Sequence, residues 1–147
     1  MPGPNIRIAT DCTGVDWEEA CRVFERAPLG TREPEMLRLA FERSALVRFA
    51  LDGEHLVGMA RAISDGVYQA VIYDVCILPE YQGKGLGSRL VASLMEALPG
   101  LTVLLYAVPG REGFYGRHGF RRMTTAMARF SDPERMGSQG YLRSGEP

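Results

Sequence analysis

A mixed α/β fold is predicted, with a twisted central sheet whose N-terminal strands are antiparallel and whose later strands form a parallel βαβ pair, flanked by helices. Three observations predict it. Asp52-Gly53 separates two strand-like runs at residues 45–51 and 55–63, and this dipeptide supplies the positive φ angles of a two-residue hairpin. Two nearly continuous apolar runs, 71–78 and 101–108, read as strands covered on both faces. Between them, apolar residues fall at Leu86, Leu90, Val91, Leu94 and Leu98, which is helical spacing. Strand, helix, strand makes a right-handed crossover with parallel strands.

The remaining elements follow in order. Residues 6–9 alternate and form a short first strand, and Asp11 or Asp16 caps a helix over 17–26 that Pro28-Leu29-Gly30 ends. Glu33-Pro34-Glu35 starts a second helix through Met36, Leu37, Leu39, Ala40 and Phe41, with its acidic residues in the first turn, where the helix dipole favours them. Ser64-Asp65-Gly66 turns the chain into the 71–78 strand, and Pro99-Gly100 stops the helix of the βαβ unit. A short helix near 113–118 and a strand or pair over 120–130 complete the fold. Residues 131–147, polar and rich in Gly, Ser and Pro, are expected to be a mobile tail.

Composition narrows the function. At 147 residues and 46% hydrophobic content, the chain is expected to be one domain, 1–147, able to bury a core without metal or disulfide support. Seventeen basic against eighteen acidic residues leave a net charge of −1, so no long-range field draws it to nucleic acid or an anionic membrane. Cys12, Cys21 and Cys76 are odd in number and lack metal-ligand spacing, which points to a reducing compartment and no metal. The first residues, MPGPNIRIAT, lack the layout of a signal peptide, and no apolar run approaches the ~18 residues of a membrane span. A soluble, cytoplasmic protein is expected.

The segment PEYQGKGLGSRL, 79–90, carries the most chemical information. It joins the 71–78 strand to the helix through Gly83, Gly85 and Gly87, which let the backbone turn sharply and approach a ligand while the first helical turn points its N–H groups at the loop's mouth. Phosphate or pyrophosphate fits such a site. A P-loop is excluded because Lys84 is followed by Gly85 rather than Ser or Thr, and a dinucleotide fingerprint counted from Gly83 would need glycine at Ser88.

The spacing Gln82-x-x-Gly85-x-Gly87 resembles the pyrophosphate motif of the GCN5-related N-acetyltransferases, which move an acyl group from acyl-coenzyme A to an amine. A second block, Phe114-Tyr115-Gly116-Arg117-His118-Gly119-Phe120, is similar to the Phe-Tyr-x-x-x-Gly-Phe signature that closes the coenzyme site in that family. The two stand in the right order and separation, and the resemblance covers residues 45–130. Within the family, residues 74–83 and the close at 123–130 look like small-amine and amino-sugar acetyltransferases.

The resemblance implies acetyl-coenzyme A as cosubstrate. Its pyrophosphate would lie on the backbone N–H groups of Gly83, Lys84, Gly85, Leu86, Gly87 and Ser88, with Lys84 adding charge and Gln82 shaping the loop. Val75, Cys76 and Ile77 would meet the pantetheine amides through their backbone, as an added strand does. Family members splay the two parallel strands apart here, so that a strand N–H can polarise the thioester carbonyl. Tyr115 matches a tyrosine placed beside the thioester sulfur, and a phenol near pKa ~10 can protonate a thiolate whose acid lies near ~8.5. Otherwise Tyr115 is a half-buried ring packed beside Phe114.

Asp74, the ionisable side chain in an apolar run, is a candidate base for the amine; it is equally readable as a carboxylate satisfied by backbone N–H groups or an arginine. Cys76, with no His near it in sequence, reads as packing rather than as a nucleophile, and His118 as a cap or a solvent-facing side chain. The expected partner is a small-molecule amine, acetylated directly in a ternary complex, and homodimers are common in this fold. The alternatives are a noncatalytic acyl-coenzyme A binding module and a peptide or protein lysine acetyltransferase, the latter suggested by Glu33 and Glu35.

Overall fold

A computed structural model describes residues 5–145. β1 (Ile6–Ala9) pairs antiparallel with β2 (Leu46–Asp52), β2 with β3 (His55–Ser64) and β3 with β4 (Gln69–Ile77); β4 then pairs parallel with β5 (Thr102–Leu104), giving the order β1-β2-β3-β4-β5. The Asp52-Gly53 turn is the expected hairpin, with Asp52 opposite His55 and Gly53 at φ 61°. These antiparallel strands, the parallel pair and the flanking helices are the predicted fold class.

Helices α1 (Trp17–Arg26) and α2 (Pro34–Glu42) fill one face of the sheet. Asp16, not Asp11, caps α1, accepting from the N–H groups of Glu18 and Glu19, while Asp11 closes a local turn by accepting from Thr13. Trp17, Phe41 and Phe49 meet ring to ring at centroid distances of 5.3 to 5.9 Å, over Val23, Phe24, Leu37 and Met59. Because side chains alternate along a strand, Phe49, Met59 and Cys76, which are register partners across β2, β3 and β4, form one row on this face.

The opposite face carries α3 (Leu86–Glu96), which buries Leu86, Leu90, Val91 and Leu94. Arg48, buried between Val47 and Phe49 in sequence, points the other way and reaches α3, where its Nε donates to Ser93 Oγ at 2.7 Å. Gly58 shows how close the packing is on the sheet: a Cβ there would stand 2.6 Å from Ile77 Cδ1 and 3.1 Å from the Cys76 carbonyl.

The described chain divides into two compact units, one up to Leu105 and the other from Tyr106 onward. The second contains α4 (Glu112–Gly116) and α5 (Pro133–Ser138). Here the structure corrects two expectations, on strands, and adds a helix. The 101–108 strand shrinks to Thr102–Leu104, since its pairing with β4 ends at Val71↔Leu104, three residues before β4 bulges. No strand forms over 120–130, because residues 121–129 are all exposed and such a strand would bury no face to set its register. The expected mobile tail carries α5, started by Pro133 and capped by Asp132, which accepts from the Arg135 N–H at 3.1 Å. Tyr141 beyond it stacks edge-on with Tyr106 and Phe130.

Candidate active site

In β4 the register slips. Met59 faces Cys76 and Arg61 faces Tyr73, so Ala60 alone stands opposite both Asp74 and Val75. This is a β-bulge, which leaves an extra residue outside the ladder and bends the strand. Asp74 sits in it at φ 57°, the only non-glycine residue among those described with a positive φ. Asp is one of the few residue types that enter this region readily.

The Asp74 side chain is largely buried and taken. Arg61 Nε donates to its Oδ2 at 2.6 Å, with both side chains less than one-fifth exposed. Of the two readings of Asp74 in the sequence, the carboxylate satisfied by an arginine describes its surroundings. Arg61 itself was not singled out in the sequence, although an arginine inside the apolar 55–63 run is a signal that a buried partner exists.

Below the bulge, Val75 is half-buried while Cys76 and Ile77 are buried. Burial, with Asp74 adding repulsion, raises the Cys76 thiol above its ordinary pKa, so it is a poor nucleophile. Leu78 donates its N–H to Val57 O at 2.9 Å, and a 3-10 turn, Pro79–Tyr81, leads into the glycine loop.

Gly83 and Gly85 adopt φ 77° and 79°, a left-handed conformation that side chains other than Asn and Asp resist. A Cβ built on either would meet nothing within 4 Å, so the loop leaves open space above its backbone. Gly85 occupies the N-cap position of α3 and offers no side chain to cap the N–H groups of the first turn. An uncapped helix N-terminus beside open space, with Lys84 as a cation, suits a pyrophosphate. Lys84 Nζ rests 5.6 Å from the Tyr81 ring centroid.

The loop's approach is braced by contacts that sequence reasoning missed. Glu80 receives both guanidinium nitrogens of Arg26 at 2.9 and 2.8 Å, and Tyr81 donates its hydroxyl to Asp52 Oδ2. Gln82 Nε2 donates to Ile77 O at 2.9 Å. The structure thus brings Asp74, Val75, Cys76 and Ile77 together with residues 82–88 on one continuous strand, turn and helix.

Phe114 and Tyr115 stand on α4 in the second unit. Their rings meet edge to face at 4.9 Å, and Phe120 closes on Tyr115 at 6.1 Å. The Tyr115 carbonyl accepts from the N–H groups of His118 and Phe120, which turns the chain sharply through Gly119 at φ 86°. Gly119 is thus required by its backbone.

A cleft of about 690 Å³ opens elsewhere, along β1 and the start of α1, lined by Arg7, Asp11, Asp16, Glu19, Phe49 and Leu56 among others. Asp11, Asp16 and Glu19 in it are engaged in caps and backbone bonds, and it includes none of the residues from 74 to 88. Among the described residues, no three His, Cys, Asp or Glu side chains stand together as a metal site, and no helix is long and apolar enough to cross a membrane.

Comparison with known proteins agrees with this geometry. A rice (Oryza sativa subsp. japonica) protein named serotonin N-acetyltransferase 2, chloroplastic, is 35% identical over 144 residues, covering 93% of this chain and 68% of the relative. Several other curated relatives, among them chloroplastic GCN5-related N-acetyltransferases of Arabidopsis thaliana, are matched over less than two thirds of their length. An acetyltransferase of Streptococcus pneumoniae superposes with a TM-score of 0.71 at 26% identity, over 86% of this chain and 98% of its own. A Staphylococcus aureus protein shares the fold at a TM-score of 0.77 and 21% identity, over 85% of this chain and 97% of its own. The model of the acetyltransferase (GNAT) family matches residues 14–120, both motifs included, and the chain belongs to that family of acetyltransferases.

Proposed function

We propose that this enzyme transfers the acetyl group of acetyl-coenzyme A to the primary amine of a small molecule, directly and in a ternary complex. The observation that carries the reading is the loop 82–88: two left-handed glycines, open space above them and an uncapped helix N-terminus immediately after the bulged strand. Acetyl-coenzyme A supplies the activated thioester. The residues of this chain do the rest. The α3 N-terminus and Lys84 hold the pyrophosphate. The backbone of Val75, Cys76 and Ile77 orients the pantetheine arm, and the bulge offers an N–H to the thioester oxygen as charge develops there. Tyr115 donates the proton that the leaving thiolate needs, and the amine, attacking in its neutral form, gives up its proton to water.

The small-amine reading is supported by the rice relative, whose name specifies serotonin, an arylalkylamine, and whose similarity runs through nearly the whole of this chain. The test is release of coenzyme A thiol from acetyl-coenzyme A by the purified protein, across arylalkylamines, amino sugars, polyamines, amino acids and a lysine peptide. Amine-dependent thiol release with a small acceptor is the expected result. Release with the peptide alone would make the enzyme a lysine acetyltransferase. Tight coenzyme binding without release in any well would make it a binding module.

A further inference from the structure

We propose that Arg61 and Asp74 form a clasp that fixes the β4 bulge, so that Asp74 is a positioning residue for the thioester-facing backbone and not the base that deprotonates the amine. The inference rests on the acetyl-transfer reading above, whose oxyanion donor is a backbone N–H of that bulge.

Arg61 lies on β3 opposite Tyr73, one residue past the slip in register. Its guanidinium is held from three sides. Nε donates to Asp74 Oδ2 at 2.6 Å, Nη1 to Ser44 Oγ at 3.4 Å, and the plane lies 5.2 Å from the Tyr73 ring and 5.8 Å from the Phe41 ring. Ser44 gives its own hydroxyl proton to Ala40 O at 2.7 Å, which leaves its lone pairs for the arginine and ties the clasp to the end of α2. A guanidinium fixed in this way anchors whatever it bonds.

What it bonds is the one non-glycine residue among those described in a left-handed conformation. A bulge fixes where its N–H groups point only if its backbone has a single conformation, and donors for a developing oxyanion must be placed in advance. The Asp74 side chain supplies that constraint: its short carboxylate suits the left-handed region, and the charge-assisted bond to Arg61 holds the residue there. A catalytic base has the opposite requirement. A proton arriving at either oxygen would neutralise the carboxylate and leave the largely buried Arg61 cation without its counter-charge.

The two roles respond differently to substitution. Asn tolerates the left-handed backbone and can still accept from Arg61 Nε, yet it cannot take a proton at this pH range. Ala does neither. The experiment measures kcat and KM for Asp74→Asn, Asp74→Ala and Arg61→Met with the best acceptor from the amine screen, at saturating acetyl-coenzyme A and across the pH range of activity. Asp74→Asn is expected to stay within about threefold of the parent kcat at every pH, far short of the hundredfold or more that a general base contributes. Asp74→Ala and Arg61→Met are expected to lose about tenfold or more in kcat, with a smaller change in KM, as a donor used mainly in the transition state requires. An Asp74→Asn loss as deep as that of Asp74→Ala, shrinking as pH rises, would make Asp74 the base and overturn the clasp.

Full activity in all three variants would overturn it as well. If Asp74→Ala does not fold, the asparagine variant alone decides between the two roles. If the parent protein consumes no thioester, the acetyl-transfer reading fails by itself. The clasp is then read from amide hydrogen exchange over residues 73–76, which is expected to speed up in Asp74→Ala and Arg61→Met but not in Asp74→Asn; equal exchange in all would refute it.

Discussion

Gln82 donates its side-chain amide to the carbonyl of Ile77 at 2.9 Å, pinning the entrance of the glycine loop to the last residue of β4. The bond spans the 3-10 turn at Pro79–Tyr81, so the turn cannot open without breaking it. With Arg26–Glu80 and Tyr81–Asp52 bracing the same turn from α1 and β2, the loop is set before any ligand arrives. Preorganisation of this kind lowers the ordering cost of binding.

Gly85→Val places a β-branched side chain at φ 79°, where it is strained, and fills the space above the helix N-terminus. Coenzyme A affinity is expected to fall at least about tenfold, equivalent to roughly 1.4 kcal/mol. Gly85→Asn, which tolerates the backbone, should lose less. Calorimetric titration of the folded variants checks both, and unchanged affinity in the valine variant would move the pyrophosphate elsewhere.

Tyr115→Phe keeps the edge-on contacts with Phe114 and Phe120 and removes only the hydroxyl. Turnover is expected to drop about ten- to a thousandfold while coenzyme affinity changes little, since a positioned proton donor contributes on that scale. Steady-state kinetics under conditions where chemistry limits the rate, together with titration of coenzyme A, would separate this from a packing role, for which kcat would be unchanged.

Arg48 and Ser93 should respond unequally. Arg48 is buried, donates to Ser93 Oγ at 2.7 Å and to the carbonyls of Val47 and Ser93, and burial lowers its pKa below the ordinary guanidinium value. Ser93→Ala leaves the Nε donor of a buried cation unmatched, at a cost of about 1–3 kcal/mol. Arg48→Met removes the cation together with its demand for acceptors and should cost less than Ser93→Ala, because an apolar side chain of similar length fits the same space. Urea denaturation of the two variants gives the comparison, and a larger loss in Arg48→Met would contradict it.

Asp65 gives the β3–β4 turn a pH dependence of known sign. Its carboxylate accepts from the N–H groups of Val67, Gln69 and Tyr68, which hold its pKa below the usual carboxylate range. A carboxylate whose folded pKa is depressed stabilises the fold above its unfolded value and stops doing so as pH falls through the folded one. The Tm difference between the parent protein and Asp65→Ala should therefore be widest near neutrality and narrow below about pH 4. A gap that persists undiminished into stronger acid would mean that the backbone bonds do not depend on the charge.

Local chemistry was enough to place most elements. The spans of α1 and α2 follow from Asp16, Pro34 and apolar spacing, the β2–β3 hairpin from Asp52-Gly53, and the loop into α3 from glycines whose positive φ no other residue type adopts as readily. These are decided within a few residues, where capping, turn geometry and periodicity act. The same holds for the family, because both of its motifs are short and contiguous.

What the tertiary structure alone decided involves partners distant in sequence. Arg61 and Asp74 are 13 positions apart and meet only because β3 and β4 pair with a slipped register; Arg48 and Ser93 are 45 apart and meet only because α3 crosses the back of β2. The early end of β5 and the missing strand over 120–130 have the same origin. Apolar content and alternation show that a segment can be a strand, but a strand exists only where a neighbour supplies hydrogen bonds and a face to bury, and that neighbour is set by the whole chain.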